Sequence, residues 1–224
     1  FIGNYNQSIA ALQENKLSFI PVHRNIIEYA DGASSITVSK EVMGDHKESS
    51  GDFGCGEDRS SVLIRDGIIF FADKSRQKIL AAAGGKLKAI SDVEMSSFFE
   101  DEFDSLSKAT GDGGRLVSGF DPVENMYLFT IEPKTNNSNP DYLGVTVGYS
   151  ISKGRWISRY SFVPSNYASI DNKLISTKWY QNQSETTSFL FNAHTDPLKR
   201  NEFYGTPYSS SVTVVSKISP SKPK

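Results

Sequence analysis

Apolar residues recur at every second position in several stretches of the chain, the period of a β-strand. Residues 154–163 show it most plainly. Trp156, Ser158, Tyr160 and Phe162 alternate with Ile157, Arg159, Ser161 and Val163, which predicts two opposite faces. Lys153-Gly154 turns into this strand and Pro164 stops it. A second strand follows at 173–177, after the turn Ile170-Asp171-Asn172. Earlier, 62–65 and 68–71 flank Asp66-Gly67, a two-residue hairpin signal. Asp73-Lys74-Ser75-Arg76 turns again, 77–82 is the next strand, Gly84-Gly85 turns, and 86–90 leads out. Segments 116–120, 126–131 and 142–149 repeat the design around Asp121-Pro122-Val123-Glu124-Asn125.

The period changes to the helical one once. Val93, Met95, Phe98, Phe99, Phe103 and Leu106 recur at three- and four-residue steps, which predicts an amphipathic helix over 91–109 with Ser91 and Glu94 as a capping box. Gly111-Asp112-Gly113-Gly114 ends it. Nearer the start, Ile9, Leu12, Leu17 and Ile20 predict a short helix from about Ser8, closed by Pro21. Strands at 25–29 and 34–38 flank Asp31-Gly32. Residues 39–61 are Gly-, Ser-, Asp- and Glu-rich and read as a loop, 178–200 are polar around Phe189-Leu190-Phe191, and Val212, Val214 and Ser216 alternate in a last strand. The fold class is therefore mainly β: antiparallel meanders, β-propeller-like blades or a sandwich, with one amphipathic helix at about 91–109. The chain divides into an irregular N-terminal segment with short strands, 1–60, and a β-propeller-like domain, 61–224, open to completion by other segments of a longer polypeptide.

Composition narrows what this scaffold can do. With 24 basic and 26 acidic residues among 224, the net charge is -2, which gives no electrostatic case for nucleic acid as the main partner. Cys55 is the one cysteine, so no internal disulfide can form. No apolar run reaches the ~20 residues of a membrane helix. Phe1 begins the chain and Lys224 ends it, and both ends fit a proteolytic piece of a longer polypeptide.

Candidate chemistry thins out on inspection. Asp45, His46, Asp52, Glu57 and Asp58 follow neither a zinc spacing nor a calcium loop, so no metal site is expected. Gly84-Gly85 lacks the Gly-Lys-Ser/Thr ending of a phosphate loop. His194-Thr195-Asp196 has no Gly-x-Ser-x-Gly nucleophile to serve. Glu100, Asp101, Glu102 and Asp104 read as a solvated helix face, and Asp66, Asp73, Asp121 and Asp171 sit at turns, where Asp is favoured for backbone reasons. No catalytic residue and no cofactor are expected.

Several segments resemble a known family. They are Asp66-Gly67-Ile68-Ile69-Phe70-Phe71-Ala72-Asp73, Ala89-Ile90-Ser91, Phe120-Asp121-Pro122 with Tyr127, and Gly154-Arg155-Trp156 through Tyr160-Ser161-Phe162-Val163-Pro164. Asn201-Glu202-Phe203-Tyr204-Gly205-Thr206-Pro207-Tyr208, Val212–Val215 and Pro220 complete the set. Together they resemble the tail muzzle, or tail stabilization, proteins of crAss-like phages, the nozzle-type β-propeller proteins of short-tailed bacteriophages. The resemblance covers about 62–221; 1–60 match less clearly, and the family's start and a further strand after Pro220 are missing.

The resemblance implies a structural virion protein. Copies would form a distal tail ring, commonly six-fold, that closes the channel and gates ejection of DNA and cargo. Its partners would be further copies, other phage tail proteins and other segments of the same cleaved polypeptide, with DNA present only in transit. Trp156, Tyr160, Phe162, Pro164, Phe203, Tyr204, Gly205 and Tyr208 are the interface or scaffold candidates. The alternative is a glycan-binding or glycan-cleaving β-propeller module, with Trp156, Trp179 and Tyr180 stacking on sugars and two inward carboxylates for chemistry.

Overall fold

The computed structural model describes residues 1–22, 25–28, 34–37, 43–108, 114–132, 144–181, 186–192, 201–204 and 206–212. Tight turns set the order of its strands. β1 (Ile2–Tyr5) and β2 (Ser8–Leu12) join through Asn6-Gln7, where Asn6 takes φ 53°. β3 (Leu17–Pro21) returns along β2 after a four-residue loop. β4 (Asn25–Glu28) and β5 (Ser34–Thr37) pair with each other, and β6 (Lys47–Glu48) pairs with β3. Within 1–60, β1-β2-β3-β6 form a four-stranded sheet. The short helix expected from Ser8 does not form; its apolar residues lie on β2 and β3 instead. Alternation explains the outcome. A hairpin turns Ala10, Leu12 and Leu17 inward together, and all three are buried there.

A 3-10 turn at Arg59–Ser61 leads into the second sheet. β7 (Leu63–Arg65) and β8 (Ile68–Asp73) are joined by Asp66-Gly67 with φ 48° and 73°, the left-handed pair of a type I′ turn. β9 (Lys78–Ala83) and β10 (Lys86–Ala89) complete a sheet in sequence order. The expected helix is shorter than its periodicity predicts: α1 runs Ser96–Lys108. Ser91 and Glu94 do not cap it. The Ser91 hydroxyl accepts the Ile79 amide at 3.2 Å, and Glu94 sits at φ 62°, which breaks the helical path. The glycines expected to end the helix at 111–113 lie outside the described residues.

The third sheet comprises β11 (Arg115–Asp121), β12 (Met126–Glu132), β13 (Val145–Ser150) and β14 (Arg155–Tyr160), again in sequence order. The fourth has β15 (Asn166–Ile170), β16 (Lys173–Gln181) and β17 (Thr186–Asn192). β15 and β17 are strands that periodicity did not single out. β18 (Glu202–Phe203) and β19 (Thr206–Pro207) form a final pair. Residues 213–218 of the expected last strand lie outside the described residues.

The sheets stack face to face in chain order. Tyr5, Ala10, Leu12 and Leu17 of the first pack on Ile69, Phe71, Leu80 and Ala82 of the second. Phe70, Ala72 and Ile79, on the second sheet's other face, join Phe99, Phe103 and Leu106 of α1 and Tyr127, Phe129 and Ile131 of the third. The third sheet's other face meets the fourth through Met126, Leu128 and Leu174. The opening strands β1, β7, β11 and β15 lie each beside the next. The protein is mainly β, built of blade-like antiparallel meanders packed in series.

Candidate functional site

Trp156 occupies the centre of the largest core. Its ring is 8% exposed and lies 4.8 Å from Phe99 and 5.2 Å from Tyr149, centroid to centroid. The indole N–H donates to the Ile90 carbonyl at 2.9 Å. One side chain therefore ties β14 to the end of the second sheet and to α1. Tyr127 stacks on Phe70 at 4.4 Å in the same core. The Ser118 hydroxyl donates to the Ser61 carbonyl, so the Tyr127 hydroxyl must donate to Ser118. Burial pushes the Tyr127 phenol above its usual range.

The alternation expected through Tyr160 breaks at Ile157. Tyr149 pairs with Trp156, while Gly148 pairs with Ser158, which leaves Ile157 unpaired as a β-bulge. One extra residue reverses every later side chain. Trp156 faces α1, whereas Tyr160 joins Met126, Leu128, Leu174 and Tyr167 on the opposite side. The two residues predicted to share a face therefore hold different seams.

Tyr160 begins a row of rings: 5.1 Å to Phe162, 4.5 Å onward to Phe203, then 5.8 Å to Tyr208. Phe162 and Pro164 are buried; Tyr160, Phe203 and Tyr208 are half-buried. The Tyr204 and Ser176 hydroxyls are 2.7 Å apart and buried. Seven of the eight scaffold candidates thus lie on described residues, six of them in or beside this row and Trp156 apart from it; Gly205 lies outside them. The row clamps the chain after β14 against the 201–208 segment. Trp156 is spent on packing and offers no open face to a sugar. The side chains of Trp179 and Tyr180 lie outside the described residues, as does the stretch holding His194 and Asp196.

A polar seam joins the third and fourth sheets, which the pattern of apolar residues gave no sign of. Thr146 donates to the Phe162 carbonyl at 2.7 Å, so Thr130 donates to Thr146 and Tyr167 donates to Thr130. Burial pushes the Tyr167 phenol up. Glu132 Oε1 accepts from Lys178 Nζ at 2.8 Å and from Ser165 Oγ at 2.9 Å, and Arg115 Nη1 lies 3.9 Å from Oε2. These groups bind sheet to sheet.

The buried carboxylates Asp73 and Asp121 serve their own turns. Three four-residue loops share one plan: Lys74–Gln77, Pro122–Asn125 and Ile151–Gly154 each end on a left-handed residue, at φ 55°, 50° and 64°. The residue before each loop caps the third loop amide. Asp73 accepts from Arg76 N at 3.0 Å, Asp121 from Glu124 N at 3.2 Å and Ser150 from Lys153 N at 3.3 Å. A sequence signal existed for this repeat, an Asp or Ser five residues ahead of the next strand with Gln, Asn or Gly closing the loop.

Among the described residues, no three His, Cys, Asp or Glu side chains converge as a metal site, and no helix is long and apolar enough to cross a membrane. No protein-family model matches the chain, and no curated protein matches it significantly.

Proposed function

We propose that the chain is a structural component of a short-tailed bacteriophage virion, its meanders serving as β-propeller blades in the distal tail ring that closes and gates the channel. The observation that carries this reading is the use made of the aromatics. Trp156, Tyr127, Phe70, Phe162 and Phe203 all join one element to another. Stiff sheet-on-sheet packing with capped turns is what a wall under load requires. A net charge of -2 suits a channel wall past which DNA slides without being held. The sequence resemblance supplies the tail assignment itself.

The test is gold labelling of intact particles with antibody raised against the folded chain. The proposal expects label confined to the distal tail tip. Label on no particle, together with specific retention of a glycan on an array, would replace it with the glycan-binding reading.

A further inference from the structure

The first, second and third sheets each have four strands, and the fourth has three, β15, β16 and β17. The open place is beside β17, where no strand pairs among the described residues. The outer strands of the other sheets carry the marks of an edge. β6 is the two residues Lys47-Glu48, β10 carries Lys86 and Lys88, and β14 carries Arg155 and Arg159. Short length and charge discourage a further strand from pairing there. β17 has neither mark: Thr186–Asn192 is seven residues long and uncharged. Its sequence is that of an inner strand, as is the uncharged Val-Thr-Val-Gly-Tyr-Ser of β13, which β14 covers.

We infer that residues 213–218 of the same chain, Thr-Val-Val-Ser-Lys-Ile, fill this place as an antiparallel fourth strand on β17. The plan of the first sheet selects this occupant. There the third strand, β3, is followed by the separate hairpin β4–β5 before β6 returns to close the edge. The fourth sheet repeats that order: its third strand, β17, is followed by the separate hairpin β18–β19. The next segment in the series is the closing strand. Position agrees. The Tyr204 and Ser176 hydroxyls are 2.7 Å apart, and Ser176 pairs with Phe191 near the end of β17. The Tyr208 amide donates to the Asn201 carbonyl at 2.7 Å, so the hairpin returns the chain to where it began. Residues 209–212 then span up to about 13 Å, more than two strand spacings of about 4.8 Å. Composition agrees as well. Thr213, Val214, Val215 and Ile218 are β-branched, and Lys217 supplies the charge that the other outer strands carry. The fourth sheet then needs no strand from another copy or another polypeptide. The inference rests on strand order and sequence and is independent of the tail assignment. Absence of the chain from phage particles would remove that assignment and leave the fourth strand standing.

The experiment is nuclear magnetic resonance on the full chain, unaltered and with Val214→Pro and Val215→Pro combined. In an antiparallel sheet alternate amides of a strand point to opposite neighbours. Every amide of β17 is therefore expected to be protected from exchange in the unaltered chain, to the same degree at low and high concentration. Overhauser contacts are expected between α-protons of 213–218 and those of β17. The two prolines remove adjacent donors, so the variant should exchange at least ~10-fold faster at every second amide of β17, while the amides facing β16 stay protected. Near-ultraviolet circular dichroism shows that the aromatic core is intact, and the Overhauser contacts test the inference without any substitution. Free exchange at every second β17 amide of the unaltered chain overturns it, as does the absence of those contacts. Protection that rises with concentration also overturns it, by assigning the strand to another copy. A folded variant whose β17 exchange is unchanged does so too, by placing a different segment on that edge.

Discussion

Asp58 shows how one side chain sets a pH response. Burial is the main cause that raises its carboxyl above the ordinary aspartate range, with Lys74 acting the other way. The folded state then binds the proton more tightly than the unfolded state, so the charged carboxylate costs stability above the folded pKa. That cost fades as pH falls toward the unfolded value of about 3.9. Asp58→Asn is therefore expected to be more stable than the parent at pH 7 and no more stable near pH 3.5, as read by urea midpoints at the two pH values. Trp156 makes the opposite kind of contribution. Trp156→Phe keeps an aromatic ring in the core but removes one of two donors to the Ile90 carbonyl, which still accepts from the Val93 amide at 3.2 Å. Losing one net hydrogen bond costs about 0.5–1.5 kcal/mol, which a urea titration followed by circular dichroism should register.

The seams between elements differ in kind, and so should their strength. The first two sheets and α1 are joined by large apolar clusters, whereas the fourth sheet holds on by hydroxyl chains and the Glu132–Lys178 pair around a small apolar patch. A net hydrogen bond contributes about 0.5–1.5 kcal/mol, less than a buried phenylalanine. Amide hydrogen exchange is expected to show β15 and β16 opening before β8, β9, β12 and β13. Gly119 is where this seam can be broken cleanly. A Cβ there would lie 2.4 Å from the Tyr167 ring, so β11 and β15 approach only because the side chain is missing. Gly119→Val should release protection in β15 and β16 while leaving the second sheet's exchange unchanged; uniform loss of protection would mean the seams are not separable.

How much of this was legible follows from the same elements. Hairpins marked by Asp66-Gly67, Gly84-Gly85 and Asp171-Asn172 could be read directly, because each turn demands left-handed backbone and the sequence supplies residues that tolerate it. The strand that became β3 could pass for half a helix, since five-residue strands joined by a short loop also place apolar residues three to five apart. The helix start was misplaced because Ser91 bonds a strand amide that is remote in sequence. The bulge at Ile157 was invisible: alternation continues through it, and only the partner strand reveals the extra residue. Six of the eight scaffold candidates were legible as aromatics, but the side that Tyr160 faces depends on that bulge.

At the scale of the whole molecule, the described apolar clusters hold the sheets in order. Four blade-like sheets share three packed seams, and their chemistry goes into turns and clamps. Cys55 fits this picture: burial pushes its thiol above the usual range, and it is enclosed between the first and second sheets. Its labelling by a thiol reagent at pH 8 is expected only as the protein unfolds, which makes it a reporter of that seam. The measurement that tests the central claim most directly is quantitative mass spectrometry of purified, nuclease-treated phage particles, read as copies of this chain per particle. A structural tail component predicts a small fixed copy number, constant between preparations and retained through density-gradient purification. Peptides that vary between preparations, or wash away from the particles, would contradict it.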